Sequence, residues 1–154
     1  MEKRLSFQTA SAAETKRVAK WLAKDLAGIL FHDHALVLAL SGDLGGGKTT
    51  FIQGFAKGLG IRDTIQSPTF LISRIYAIPK SAYRTLIHID AYRLENPEEI
   101  KTLGWNDWLK DRRTIILVEW AKNIEKLLPK IHFDIHFEFV SVLERKITIN
   151  AEGI

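Results

Sequence analysis

The stretch Ala35-Leu-Val-Leu-Ala-Leu40, followed after Ser41 by Gly42-Asp-Leu-Gly45-Gly46-Gly47-Lys48-Thr49, decides the fold. A continuous apolar run from 35 to 40 has the length of a strand, and a strand apolar throughout is one covered on both faces, as in parallel sheets. The second block satisfies G-x-x-x-x-G-K-[ST], the phosphate-binding loop pattern, and it stands in the right place, after a strand and before a helix. Phe51, Phe55 and Leu59 mark that helix, which stops at Gly60. Glycines let main-chain N–H groups converge on phosphate oxygens in conformations that side chains would obstruct. The helix start adds positive potential at the same point. Asp43, Leu44, Gly45, Gly46, Gly47, Lys48 and Thr49 are therefore candidate nucleotide-binding residues. Lys48 supplies charge between the β- and γ-phosphates, and the Thr49 hydroxyl is a candidate Mg²⁺ ligand.

Upstream, Leu5-Ser-Phe7 fits a short strand, and Ser11-Ala-Ala-Glu14 has the form of a capping box opening an amphipathic helix through Val18, Leu22, Leu26 and Ile29. Downstream, strands are expected at Phe70–Ile78, Thr85–Ile89 and Thr114–Val118. A helix starts at Asn96-Pro-Glu-Glu99, with Asn as cap and Pro at the first position, and closes near Gly104. Ile131, Phe133, Ile135, Phe137 and Phe139 alternate with mostly polar residues, and Lys146–Asn150 completes a hairpin. Strands alternating with helices predict one α/β domain over residues 1–154, with a largely parallel sheet and antiparallel strands at the C-terminal edge.

A phosphate-binding loop works with a second carboxylate at the end of a neighbouring strand, which holds the Mg²⁺ shell or orients a water. Asp90, closing His88-Ile-Asp90, and Glu119, following Thr114–Val118, both stand at carboxyl ends of strands. Spacing alone does not divide the metal and water roles between them. Ser67-Pro68-Thr69 lies where nucleotide hydrolases carry switch segments, and an ordinary turn accounts for it equally well. Arg93 has Glu95 and Glu98 as close alternatives to phosphate, and Trp120 suits either the site or the core. Trp105 and Trp108 read as packing residues. His132 and His136 fall on the solvated face of their strand, and His32 and His34 form no ligand set.

Composition narrows the rest. With 154 residues, 46% hydrophobic and 26% charged, the chain is an ordinary globular sequence rather than a disordered or fibrous one. The absence of cysteine removes disulfides, Cys-ligated zinc, iron–sulfur clusters and thiol nucleophiles. No apolar run approaches the roughly 20 residues of a spanning helix, and no h-region follows Met1, so a soluble cytoplasmic protein is expected. A net charge of +4 suits phosphate-bearing partners, but Lys and Arg are scattered and do not mark a nucleic-acid surface. The Asn-Lys-x-Asp pattern of guanine recognition is missing, which favours ATP.

Four blocks in order, Gly42–Phe51, Ser67-Pro-Thr-Phe70, His88-Ile-Asp-Ala-Tyr-Arg-Leu94 and Val118-Glu-Trp120, resemble the bacterial TsaE (YjeE) family. The resemblance is strong from Ala35 to Trp120 and weaker in both tails. It implies a three-layer P-loop NTPase fold and a slow Mg²⁺-dependent ATPase. It also implies work with a TsaB–TsaD pair that places threonylcarbamoyl on adenosine 37 of tRNAs reading codons that begin with A. By that resemblance Lys48 holds phosphates, Thr49 and Glu119 serve the metal, Thr50 meets the α-phosphate, and Asp90 is the acid needed for hydrolysis. Ser67–Phe70 matches a nucleotide-sensitive loop, and Gly46 replaces an alanine common in the family. The segment Thr9–Thr15 is loosely placed near the base. The alternative is a small-metabolite kinase, for which Arg112-Arg113 is the one lid-like feature.

Overall fold

The computed structural model describes residues 3–30, 33–43, 45, 47–66 and 72–153. In chain order these form β1 (Arg4–Thr9), α1 (Ala12–Ala27), β2 (Leu36–Gly42), α2 (Lys48–Gly58), β3 (Ser73–Ala77) and β4 (Thr85–Asp90). A 3₁₀ segment (Pro97–Leu103), α3 (Trp105–Lys110), β5 (Thr114–Glu119), a second 3₁₀ segment (Ala121–Leu127), β6 (His132–Phe139) and β7 (Arg145–Glu152) follow. The strands make one seven-stranded sheet in the order β1-β7-β6-β2-β5-β4-β3.

The four central strands, β6, β2, β5 and β4, are mutually parallel. Antiparallel strands occupy both edges, not only the C-terminal one: β1 and β7 lie on one side and β3 on the other. The reason is loop length. Residues 78–84 join β3 to β4, too few for the crossover of a dozen or more that a parallel pair needs, so the chain turns back as a hairpin.

Alternation along the strands builds two cores. Leu36, Leu38 and Leu40 of β2, Leu86 of β4, and Ile115 and Leu117 of β5 pack with the apolar stripes of α1 and α2. Val37, Ala39, Ile87, Ile89, Ile116 and Val118 point the other way, onto Ile100, Trp105 and Ile124. The result is a three-layer α/β sandwich. Trp105 is buried and donates to the Leu127 carbonyl, as its expected packing role requires.

Local rules account for the helix ends. The Ser11 hydroxyl accepts from Glu14 N–H at 3.1 Å, and the Glu14 carboxylate reaches back to the Ala10 N–H, one residue beyond the expected partner. The segment capped by Asn96 is 3₁₀ rather than α, and a separate helix, α3, begins after Gly104. The helix α2 is set tightly on α1: a Cβ on Gly54 would lie 2.6 Å from the Lys16 backbone, and one on Gly58 would lie 2.8 Å from Lys20 O. That close seam fixes where α2 begins, and so where the glycine-rich turn must run. Among the described residues no helix is long and apolar enough to cross a membrane.

Candidate functional site

β2 and β5 are neighbours whose onward connections diverge. The chain leaves β2 through α2 on one face, and leaves β5 through the second 3₁₀ segment on the other. Such a divergence opens a crevice at the carboxyl ends of the strands, where open α/β sheets take ligands. The register then decides what lines it. Leu40 stands opposite Glu119, and Glu119 opposite Asp90, so β5 and β4 finish level while β2 runs two residues further, to Gly42. Two-residue alternation from Leu117 and Leu86 puts both carboxylates on the α2 side.

The crevice is a cleft of about 690 Å³. Gly45, Gly47, Lys48, Thr49 and Thr50 line it from the loop and helix start, and Asp90, Tyr92, Glu119 and Trp120 from the strand ends. Ser11, Ala12 and Thr15 close one side, and Val142, Leu143 and Arg145 form the rim. Thr15 is buried with its hydroxyl 2.8 Å from that of Thr9, so the start of α1 does border the cleft. Asp43 stands apart, on an adjoining recess of about 240 Å³ that shares Lys48 and Trp120 with the cleft. Leu44, Gly46 and Ser67–Phe70 lie outside the described residues.

Lys48 is only 7% exposed and donates to the carbonyls of Gly42 (2.9 Å) and Asp43 (3.1 Å). Burial pushes its ammonium below the ordinary lysine range, while the charges of Glu119, Asp43 and Asp90 pull the other way. Its Nζ also lies 4.9 Å from the centroid of the Trp120 ring, within cation–π range. Trp120 reaches that place through a left-handed backbone turn, φ 56°, uncommon for a bulky residue. Tyr92 packs on the same indole at 5.0 Å. Trp120 is thus a cleft residue as well as a partial core residue.

Neither acid is a solvated strand end: Asp90 is 8% exposed and Glu119 5%. They are held differently. Asp90 Oδ1 accepts the Tyr92 N–H at 3.0 Å, which fixes the turn after β4. Glu119 Oε2 sits 2.8 Å from Nε2 of His88, a fully buried ring one pleat below Asp90. The main chains are tied too, Ala91 N–H donating to Glu119 O and the Asn123 side chain to Ala91 O.

Two site residues escaped sequence reasoning. His88 was legible only as a polar residue on the buried face of an apolar strand, two before Asp90. Arg145, the first residue of β7, donates from Nε to the Gly45 carbonyl at 2.9 Å and from Nη1 to carbonyls of the hairpin at 141, 142 and 144. No local pattern marks it. Arg112 and Arg113 are exposed at the amino end of β5, opposite the cleft. Six residue steps from Arg113 to Glu119, at roughly 3.3 Å each, separate the pair from Glu119 by about 20 Å, so they form no lid. His136 pairs with Ser41 and His132 with Asp134, and among the described residues no trio of His, Asp or Glu gathers around a common point.

The donors at the cleft fit a hard cation. Thr49 and Glu119 offer oxygen, and Mg²⁺ takes one or two protein oxygens together with phosphates and waters rather than a closed protein cage.

Comparison with known proteins follows the same line. Residues 9–147 match the family described as threonylcarbamoyl adenosine biosynthesis protein TsaE. The chain is 40% identical to the tRNA threonylcarbamoyladenosine biosynthesis protein TsaE of Bacillus subtilis, over 98% of this chain and 88% of that one. It is 36% identical to the protein of that name from Rickettsia prowazekii, over 93% and 92% of the two chains. A crystal structure of Bacillus subtilis YdiB superposes with a TM-score of 0.76 at 37% identity, covering 99% of this chain and 88% of the other.

Proposed function

The chain belongs to the TsaE family of threonylcarbamoyladenosine biosynthesis proteins, and we propose that it is an ATP-binding, slowly ATP-hydrolysing accessory of a TsaB–TsaD transferase. In that reading the transferase modifies adenosine 37 of tRNAs that decode codons beginning with A. The protein is cytoplasmic, and its turnover of ATP resets the larger assembly between rounds. The observation that carries the nucleotide part is the level register of Glu119 and Asp90 beside a buried Lys48 at the mouth of the glycine-rich turn.

Each residue has a task that follows from where it sits. Main-chain N–H groups of the loop and the Lys48 ammonium bind the phosphates, and Thr50 lies on the cleft side of α2 for the α-phosphate. Thr49 and Glu119 would hold Mg²⁺, which when bound neutralises phosphate charge. Asp90, buried next to Glu119 but not tied to it, orients the attacking water. Slow turnover also has a source. Arg145, the arginine on the cleft, is committed to four carbonyls and is not presented to a γ-phosphate. Fast P-loop hydrolases gain much of their rate from such a group, here left for a partner to supply.

The test is phosphate release from Mg·ATP by the purified protein, alone and with the two transferase subunits. Free inorganic phosphate, released faster in the complex, is expected; transfer to a small acceptor would instead make the protein a kinase. Asp90→Asn and Glu119→Gln should keep ATP affinity in EDTA within about threefold and lose at least about tenfold in rate with Mg²⁺. Parent-like hydrolysis in either variant removes the role assigned to that acid.

A further inference from the structure

His88 is the most buried polar residue near the cleft, and its two ring nitrogens have unequal fates. Nε2 lies 2.8 Å from Glu119 Oε2, whereas Nδ1 is buried with no hydrogen-bond partner. Buried polar atoms in native proteins are almost always paired, because an orphan forfeits its hydration with nothing in return. A leucine in this strand, like Leu86 on the same face, would avoid that cost. The ring is therefore kept for what Nε2 does.

The hydrogen-bond accounting also points to the nitrogen that carries the proton. If Nδ1 held it, a buried N–H donor would be stranded, and the carboxylate would face a bare nitrogen lone pair. With the proton on Nε2, the ring donates to Glu119 and leaves at Nδ1 only an unfilled acceptor. Among the described residues no hydrogen bond engages the other oxygen of Glu119, and the residue borders the cleft beside Lys48 and Thr49.

We propose that His88 is a positioning residue: its Nε2–H pins one oxygen of Glu119 to the sheet so that the other is presented to the cation of a bound Mg²⁺–nucleotide. This rests on the reading of Glu119 as the metal-side acid. A glutamate has three side-chain torsions to fix, and one anchor to a ring that cannot move removes most of that freedom before the cation arrives. Hydrogen-bonded supports of this kind, behind a ligating carboxylate, are worth roughly 10–100-fold in metal affinity or activity. His88 and Asp90, two residues apart on one strand, then have separate jobs: the first holds Glu119 from below, and the second faces the cleft.

Two measurements on the full chain test this. The first needs no nucleotide. Nitrogen-15 NMR of the labelled protein should show His88 protonated at Nε2 and bare at Nδ1, with the Nε2–H resonance displaced in Glu119→Gln. An Nδ1–H ring, or a resonance indifferent to that substitution, overturns the pairing. The second is ATP affinity by calorimetry, in EDTA and in Mg²⁺, for the parent, His88→Leu and His88→Gln. His88→Leu should lose about tenfold of the Mg²⁺-dependent gain in affinity, with EDTA affinity unchanged within about twofold. His88→Gln, which keeps an N–H donor, should recover most of it. A parent-like gain in His88→Leu, or an equal loss in both folded variants, reduces His88 to packing and overturns the proposal. A parent that binds no ATP overturns the nucleotide reading instead, and the NMR result alone then decides the pairing.

Discussion

The floor and the rim of the cleft are built on opposite terms. At the floor, Lys48, Asp90 and Glu119, with Gly42 on the recess behind them, are each held in place, by the loop carbonyls, the Tyr92 turn, the His88 ring and, for Gly42, the close Phe137 carbonyl of β6. At the rim, Val142 and Leu143 are 82% and 69% exposed, and Arg145 is what the structure shows tying their hairpin to the loop. The difference teaches where precision is needed. Charged groups that must meet phosphate and metal at fixed distances sit where packing over-determines them, and the rim is left free to adapt.

Two glycines put this contrast to its hardest test, since both have positive φ. A Cβ on Gly42 (φ +126°) would fall 2.1 Å from Phe137 O, which is backbone and cannot yield, whereas a Cβ on Gly45 (φ +77°) meets nothing within 4 Å. Gly42→Ala therefore combines strain with a clash and should cost about 3–4 kcal/mol, lowering the melting temperature by roughly 10 °C. Gly45→Ala carries the strain alone, about 1–2 kcal/mol and only a few degrees. Equal shifts in a calorimetric scan would erase the distinction between the packed strand end and the open loop.

A smaller effect, read in affinity, comes from Lys48→Ala. It should weaken ATP binding about 100-fold, or about 2.7 kcal/mol, by titration calorimetry, because a charge-assisted contact to phosphate is lost. A loss under threefold would mean that the floor does not bind phosphate. Least of all, Arg145→Ala should loosen the hairpin without damaging the floor. ATP affinity should fall only a few-fold, with faster amide exchange at 140–144 and the melting temperature nearly unchanged. Exchange left as in the parent would show that the hairpin does not depend on the Arg145 bridge.

How much of this was legible in the sequence follows the same division. The turn at 42–49 was readable because strand, glycines and helix are contiguous, and both acids because an ionisable residue closing an apolar strand is a local signal. The antiparallel β3 was not expected at its edge, although the short connection to β4 contained the information. His88 and Arg145 were invisible for another reason. Their partners lie 31 and 100 residues away, and no window of sequence holds both ends of either contact.

By itself, the sequence determined what depends on neighbours along the chain: helix caps, the alternation that sorts strand residues between two cores, and the phosphate-binding turn. Only the tertiary structure decided the rest. Strand order set Glu119 level with Asp90, and a neighbouring strand brought a buried imidazole under one carboxylate and not the other. The physical reason is that local geometry is fixed by torsion and periodicity, whereas the environment of a charge is fixed by whatever folding packs against it.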